Sequence, residues 1–186
     1  MSRRFFLGVD LTDDMRHGIA AHLEPYRSEL PGIVSPPANW HLTLRFVGPL
    51  TPEAIDRLLF GLSGADWPDP FRIRFGPLEA FPNHRRATVL WMSLSQGEQE
   101  MRTLANVVER TVRRAGIVAE ERPFVPHLTL SRVRPPADVR ALIEAVPPFE
   151  GKMDVARVDL FESVPDPRRY PVIDGVSMVG SEQTFD

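Results

Sequence analysis

The tetrapeptide His41-Leu42-Thr43-Leu44 recurs letter for letter as His127-Leu128-Thr129-Leu130 in the second half of the chain. Nothing else constrains the fold as tightly. On a β-strand successive side chains alternate between faces, so each copy puts an imidazole and a hydroxyl on one surface and two leucines on the other. The leucines anchor each strand to a core and leave His41, Thr43, His127 and Thr129 on polar faces. If the two strands lie side by side or are related by a pseudo-twofold axis, those faces converge into one cleft. Two of the five histidines head the two copies. A single His-x-Thr on a strand is a common surface pair, but two identical copies are not. Burial of both imidazoles in a core would leave the shared threonines unexplained.

The rest of the chain supplies the scaffold. Arg4 to Leu11 is apolar and aromatic and reads as a first strand. Thr12-Asp13-Asp14 is a helix-capping composition that predicts a helix from about Asp13 to Leu30, stopped by Pro31-Gly32. A strand follows at Trp40 to Val47, and Thr51-Pro52 starts a helix to about Leu62, with Ile55, Leu58, Leu59 and Leu62 at helical spacing. Phe71 to Phe75 and Ala87 to Leu94 read as strands, and Gln99 to Ala115 as a helix with one apolar stripe. Phe124 to Val133 is a strand, Ala137 to Val146 a short helix, and Val155 to Ser163 and Tyr170 to Val179 the last strands. Each half thus joins a motif strand to helices and further strands, which is the pattern of an old duplication.

Charge and composition exclude several classes. Hydrophobic residues make up 42% and charged residues 25% of the chain, so a packed core is expected. The formal net charge of -3 argues against coating nucleic acid by bulk electrostatics, although a local basic cleft is compatible with it. Cysteine is absent, which removes disulfides and thiolate metal sites and makes a reducing cytoplasm the simplest setting. Arg3-Arg4 resembles the start of a twin-arginine export signal, but Asp10, Asp13 and Asp14 interrupt the apolar stretch behind it. No run is long enough to span a bilayer.

Two imidazoles and two hydroxyls on one surface suit phosphodiester chemistry. A neutral histidine can take a proton from an attacking water while a protonated one donates to the leaving oxygen, which predicts a bell-shaped pH profile. Threonine hydroxyls can hydrogen-bond the non-bridging oxygens of the phosphorane. Beyond this chemistry, the chain resembles the two-histidine (2H) phosphoesterase superfamily, defined by paired HxTx motifs. Within it the likeness is to the RNA 2',3'-cyclic phosphodiesterases, historically called 2'-5' RNA ligases, or LigT-like proteins. It extends over Arg4-Phe5-Phe6, Asn39 to Gly48, Phe81-Pro82, Val89-Leu90-Trp91, Arg122 to Arg132, Leu160 to Ser163 and Tyr170-Pro171-Val172.

The resemblance implies an α+β fold, a bilobal duplicated unit with antiparallel sheets lining a central cleft and helices packed outside, so that residues 1-186 form one domain of two pseudo-symmetric lobes. It implies opening of a terminal 2',3'-cyclic phosphate to a 2'-phosphate without a metal or other cofactor, His41 matching the proton donor and His127 the proton acceptor. The implied partners are RNA ends or tRNA fragments, with no protein partner and no membrane. One departure is Trp40, where many relatives carry leucine, a change that bears on the cleft wall. The resemblance also gives Arg132 a role in binding phosphate beside Thr43 and Thr129. By strict alternation Arg132 faces away from His127, and it reaches the cleft only if the strand ends or bulges. Arg45 is a weaker candidate, and Arg85 and Arg86, in the turn after Phe81-Pro82, could approach an RNA backbone, although exposed turn arginines are more often simply solvated.

His84 lies in a turn without a carboxylate ligand pattern, and His17 and His22 are five apart on a helix, so metal catalysis has little support. No glycine-rich phosphate loop is present, which leaves ATP-driven chemistry unsupported. Three alternatives stand beside the RNA-end hydrolase: joining tRNA halves through a 2'-5' linkage by the reverse reaction, action on a small cyclic phosphate derived from nucleotides, and a non-catalytic module that holds nucleotide or RNA.

Overall fold

The computed structural model describes residues 3–178. Strand β1 (Arg4–Asp10) leads into helix α1 (Asp13–Leu23), whose N-terminus is capped by the Thr12 hydroxyl accepting from the Met15 amide. The helix was expected to reach Leu30, but it ends at Leu23 and tightens into a 3-10 turn over Glu24–Glu29. Pro25 is the cause, because it has no amide hydrogen to donate and its ring clashes with the carbonyl one turn back. A short strand β2 (Ile33–Val34) and a 3-10 turn (Pro37–Asn39) precede the first motif strand, β3 (His41–Pro49). Helix α2 (Pro52–Ser63) has Thr51 as its cap.

Strands β4 (Phe71–Phe81) and β5 (Ala87–Gln96) form a long hairpin, followed by helix α3 (Glu98–Arg114). The second motif strand β6 (Leu128–Ala137) begins four residues later than its expected start at Phe124, because Pro123 and Pro126 withhold ladder donors there. At its far end it runs past Pro135-Pro136. The prolines fall in an irregular stretch between the paired residues Arg132 and Ala137, where the ladder asks for no donor. Helix α4 (Arg140–Ala145) is shorter than expected. Strand β7 (Lys152–Val155) was not expected, β8 (Arg157–Pro165) takes the place of the strand expected from Val155 to Ser163, and β9 (Arg168–Arg169) and β10 (Val172–Ser177) follow. The expected end of the last strand at Val179 lies outside the described residues.

The strand order is β10-β8-β1-β3-β6-β5-β4-β7, with β2 on β6 and β9 on β8. All these pairings are antiparallel. Four strands lie on each side of a seam where β3 meets β6, and the two sets join there through the single pair Leu42↔Leu128. The chain is α+β as expected, a curled antiparallel sheet with four helices outside it. Behind the seam Leu42, Leu44, Leu128 and Leu130 are buried with Ile19 of α1 and Leu104, Val108 and Val112 of α3 in one hydrophobic cluster. Burial of each such side chain stabilises the fold by about 1.5–3 kcal/mol. Gly8 lets β1 approach the motif strand, since a Cβ there would stand 2.7 Å from the Leu42 carbonyl oxygen.

Candidate active site

The pair Leu42↔Leu128 fixes what stands beside it. On an antiparallel ladder centred on that pair, His41 lies across from Thr129 and Thr43 across from His127, so the two histidines are diagonal neighbours with about 7 Å between Cβ atoms. All four side chains line one cleft of about 1310 Å³. The convergence expected of two histidines far apart in the chain is therefore present. Thr43 and Thr129 are half-buried, and their hydroxyls make no hydrogen bond among the described residues.

Each imidazole is held in the same way. His41 Nδ1–H donates to the carbonyl oxygen of Asn39 at 2.8 Å, and His127 Nδ1–H donates to that of Val125 at 2.7 Å. A carbonyl only accepts, so Nδ1 carries the hydrogen in both rings. In the neutral form Nε2 is then a bare base, and in the charged form an N–H donor. Either ring can serve in either role.

Aromatic rings wall off both imidazoles. Phe6, Tyr170 and Phe161 stand 4.6, 5.0 and 5.4 Å from His41, and Phe81 and Trp91 stand 5.3 and 5.8 Å from His127, ring centre to ring centre. Burial lowers the pKa of His41, the Asn39 carbonyl partly offsets it, and the positive charges of His127, Arg16 and Arg132 add to the fall, which brings it to about 4. His127 is lowered by burial and by Arg132, and its Val125 bond opposes the shift.

Arg132 does reach the cleft, and a bulge is the reason. On β6 the partners of Leu90 and Trp91 are Ser131 and Thr129, which leaves Leu130 as an extra residue. Past the inserted residue the alternation is reversed: Ser131 borders the cleft but is buried, and Arg132 lines it with an exposed side chain. The same device occurs in the first motif. On β3 the partners of Leu7 and Gly8 are Arg45 and Thr43, so Leu44 is the extra residue and Phe46 comes to the cleft face. In both copies the fourth letter of the tetrapeptide is the bulge.

Arg45 also borders the cleft, but its guanidinium pairs with Glu109 and donates to the carbonyl oxygen of Val118, tying α3 to the loop before His127. Arg85 and Arg86 are exposed and lie away from the cleft. Trp40 corrects an expectation. Its parity matches Leu42 and Leu44, and it is buried in the core behind the sheet rather than in the cleft wall.

Several residues that sequence reasoning passed over complete the site. Arg16 of α1 donates to the carbonyl oxygens of Pro37 and Trp40 and pairs with Asp10, so it pins the turn leading to His41. Arg102 of α3 does the same for His127 by donating to the Phe124 carbonyl oxygen. Arg4, Arg168 and Tyr170 line the cleft, and Asn39 Nδ2 holds the Arg168 carbonyl oxygen at 2.9 Å. Among the described residues no three His, Cys, Asp or Glu side chains are grouped as metal ligands. His84 meets a carboxylate, Glu79 at 2.6 Å, and His22 bonds the Pro147 carbonyl oxygen. No helix among the described residues is long and apolar enough to cross a membrane.

The fold and the sequence are shared with known proteins. The profile of the 2'-5' RNA ligase superfamily matches residues 15–167. An RNA 2',3'-cyclic phosphodiesterase of Aeropyrum pernix is 32% identical over 130 residues, 68% of this chain and 73% of that protein. One of Archaeoglobus fulgidus is 33% identical over 135 residues, 70% of this chain and 73% of that protein. Among solved structures, Escherichia coli LigT complexed with 3'-AMP superposes with a TM-score of 0.77 at 23% identity, over 97% of this chain and 100% of that one.

Proposed function

Because this chain belongs to the 2'-5' RNA ligase superfamily and is a hydrolase of the cyclic phosphodiesterase class, we propose that it opens terminal 2',3'-cyclic phosphates on RNA by metal-independent acid/base catalysis between His41 and His127. The observation that carries the mechanism is the pairing Leu42↔Leu128, which sets both Nδ1-anchored imidazoles beside one cleft. The two motif-bearing halves act as pseudo-symmetric lobes of one domain. RNA ends, tRNA fragments among them, are the substrates, and the cytoplasm is the setting.

In this mechanism His127 Nε2 takes a proton from water as it attacks phosphorus, and His41 Nε2–H donates to the departing ribose O3', leaving a 2'-phosphate. Thr43, Thr129 and Arg132 bind the non-bridging oxygens, where charge grows in the transition state. The ring tautomers leave donor and acceptor open, and the family resemblance makes the assignment. An anionic phosphate between the rings favours the charged imidazole, which offsets the depression that burial imposes on His41. Ligation of tRNA halves is the same ring opening with the 5'-hydroxyl of the second half attacking phosphorus in place of water and O3' leaving, and excess water favours hydrolysis.

The test is incubation of an oligonucleotide ending in a 2',3'-cyclic phosphate with the protein and EDTA. Ring opening survives chelation and falls by about 100- to 10,000-fold in His41→Ala and in His127→Ala. A 3'-bridging sulfur, which leaves without a proton, restores His41→Ala but not His127→Ala. Full activity in either variant, or complete loss with EDTA, would end the two-histidine reading.

A further inference from the structure

We propose that Phe46 is a stacking platform for the second nucleobase of the RNA 3' end, the base next to the nucleotide that carries the cyclic phosphate. The inference rests on the cyclic-phosphate reading above and adds a subsite to it. Phe46 is 58% exposed and lies on the cleft wall. Strict alternation would bury it beside Leu42 and Leu44; the bulge at Leu44 instead turns it onto the polar face. An aromatic ring facing water inside a polar cleft awaits a flat apolar partner, and every nucleobase has such a face.

Position narrows the choice of base. The ring centre of Phe46 is 5.7 Å from that of Phe6, which in turn is 4.6 Å from that of His41. Phe6 and Tyr170 touch the imidazole and enclose the reacting end, so Phe46 stands one ring further out, where the next nucleotide of the strand passes. Arg4 is two residues before Phe6 on the same face of β1, lines the cleft, and has no ion-pair partner among the described residues. It suits the phosphodiester joining the two nucleotides. The cleft of about 1310 Å³ also exceeds the roughly 300–1,000 Å³ that pockets for one small molecule occupy. Finally, the repeat sets Phe46 and Arg132 at the same step after their histidines. One half of the cleft thus offers a guanidinium for phosphate and the other an aromatic face for a base.

The test measures binding of a 5'-labelled RNA tetranucleotide ending in 3'-phosphate, the same RNA lacking the base at the second position from that end, and a nucleoside 3'-phosphate. Stacking of one base is worth about 5- to 150-fold in affinity. Phe46→Ala should weaken the tetranucleotide by at least 5-fold more than the mononucleotide, and Phe46→Trp should retain it. Wild-type protein should lose the same factor on the abasic RNA, to which Phe46→Ala should be indifferent. Equal losses on both ligands, or an abasic penalty that persists in Phe46→Ala, overturn the platform. Cyclic-end hydrolysis with no Phe46 effect removes the platform and leaves the activity standing. The Phe46 binding pattern without hydrolysis removes the activity instead.

Discussion

At the scale of single residues, the two histidines are ordinary imidazoles placed in an extraordinary solvent. The same carbonyl bond fixes the tautomer of each, and the same kind of aromatic wall removes its water. For His41 this lowers the pKa to about 4, and the shift has a consequence for stability. As the pH falls below about 6.5, the unfolded chain protonates this histidine while the folded one does not until about pH 4. The unfolded state therefore binds more protons across that window, and stability declines as the pH drops through it. Between pH 7 and pH 5 the decline attributable to His41 is roughly 2 kcal/mol. His41→Gln carries no titrating ring, so its urea-unfolding free energy should fall less over the same interval by about that amount. Carboxylates titrate alike in both proteins and cancel; an identical pH dependence in the two would contradict the burial argument.

At the scale of elements, helices act on the site through the loops they hold. Arg16 reaches from α1 to the turn before His41, and Arg102 reaches from α3 to the loop before His127. Both act by positioning, since neither lines the cleft. Arg16→Gln and Arg102→Gln should each lower kcat by about 10- to 100-fold while KM changes little, the signature of misplaced reacting groups. Lysine at either position should recover part of the loss, and an increase in KM alone would point to a binding role. Much of this scaffold was legible in the sequence. The Thr12 and Thr51 caps, the apolar stripe of α3 and both motif strands follow from local propensity and periodicity. The end of α1 was also written there, in Pro25. The bulges were not, because Leu44 and Leu130 carry no glycine or proline marker, and their extra places show only against β1 and β5. Arg132 could therefore be offered only on condition of a bulge, and Phe46 was invisible. The arginine braces were hidden for the same reason, since their partners are backbone carbonyls of distant loops.

At the scale of the molecule, sign and place of charge matter more than its sum. The chain has 22 basic and 25 acidic residues, yet its cleft is bordered by Arg4, Arg45, Arg122, Arg132 and Arg168 against Glu120 alone. Arg45 is spent on Glu109 and Arg122 on Glu120, which leaves Arg4, Arg132 and Arg168 without ion-pair partners among the described residues. About three cations are thus available to phosphates, too few for a protein that coats nucleic acid and enough for one that grips an end. Each phosphate neutralised on a single strand releases counterions and contributes about -0.7 to the slope of log affinity against log salt, so the slope should be about -2. Raising salt from 50 to 200 mM should weaken binding of a single-stranded RNA tetranucleotide by about 15-fold. Arg132→Gln and Arg168→Gln should each flatten the slope by about 0.7, because each removes one phosphate contact. Arg85→Gln and Arg86→Gln, on the exposed turn away from the cleft, should leave it as it was. A slope near -5 would mean that RNA spreads over the surface, and a slope near zero that the cleft arginines never meet phosphate.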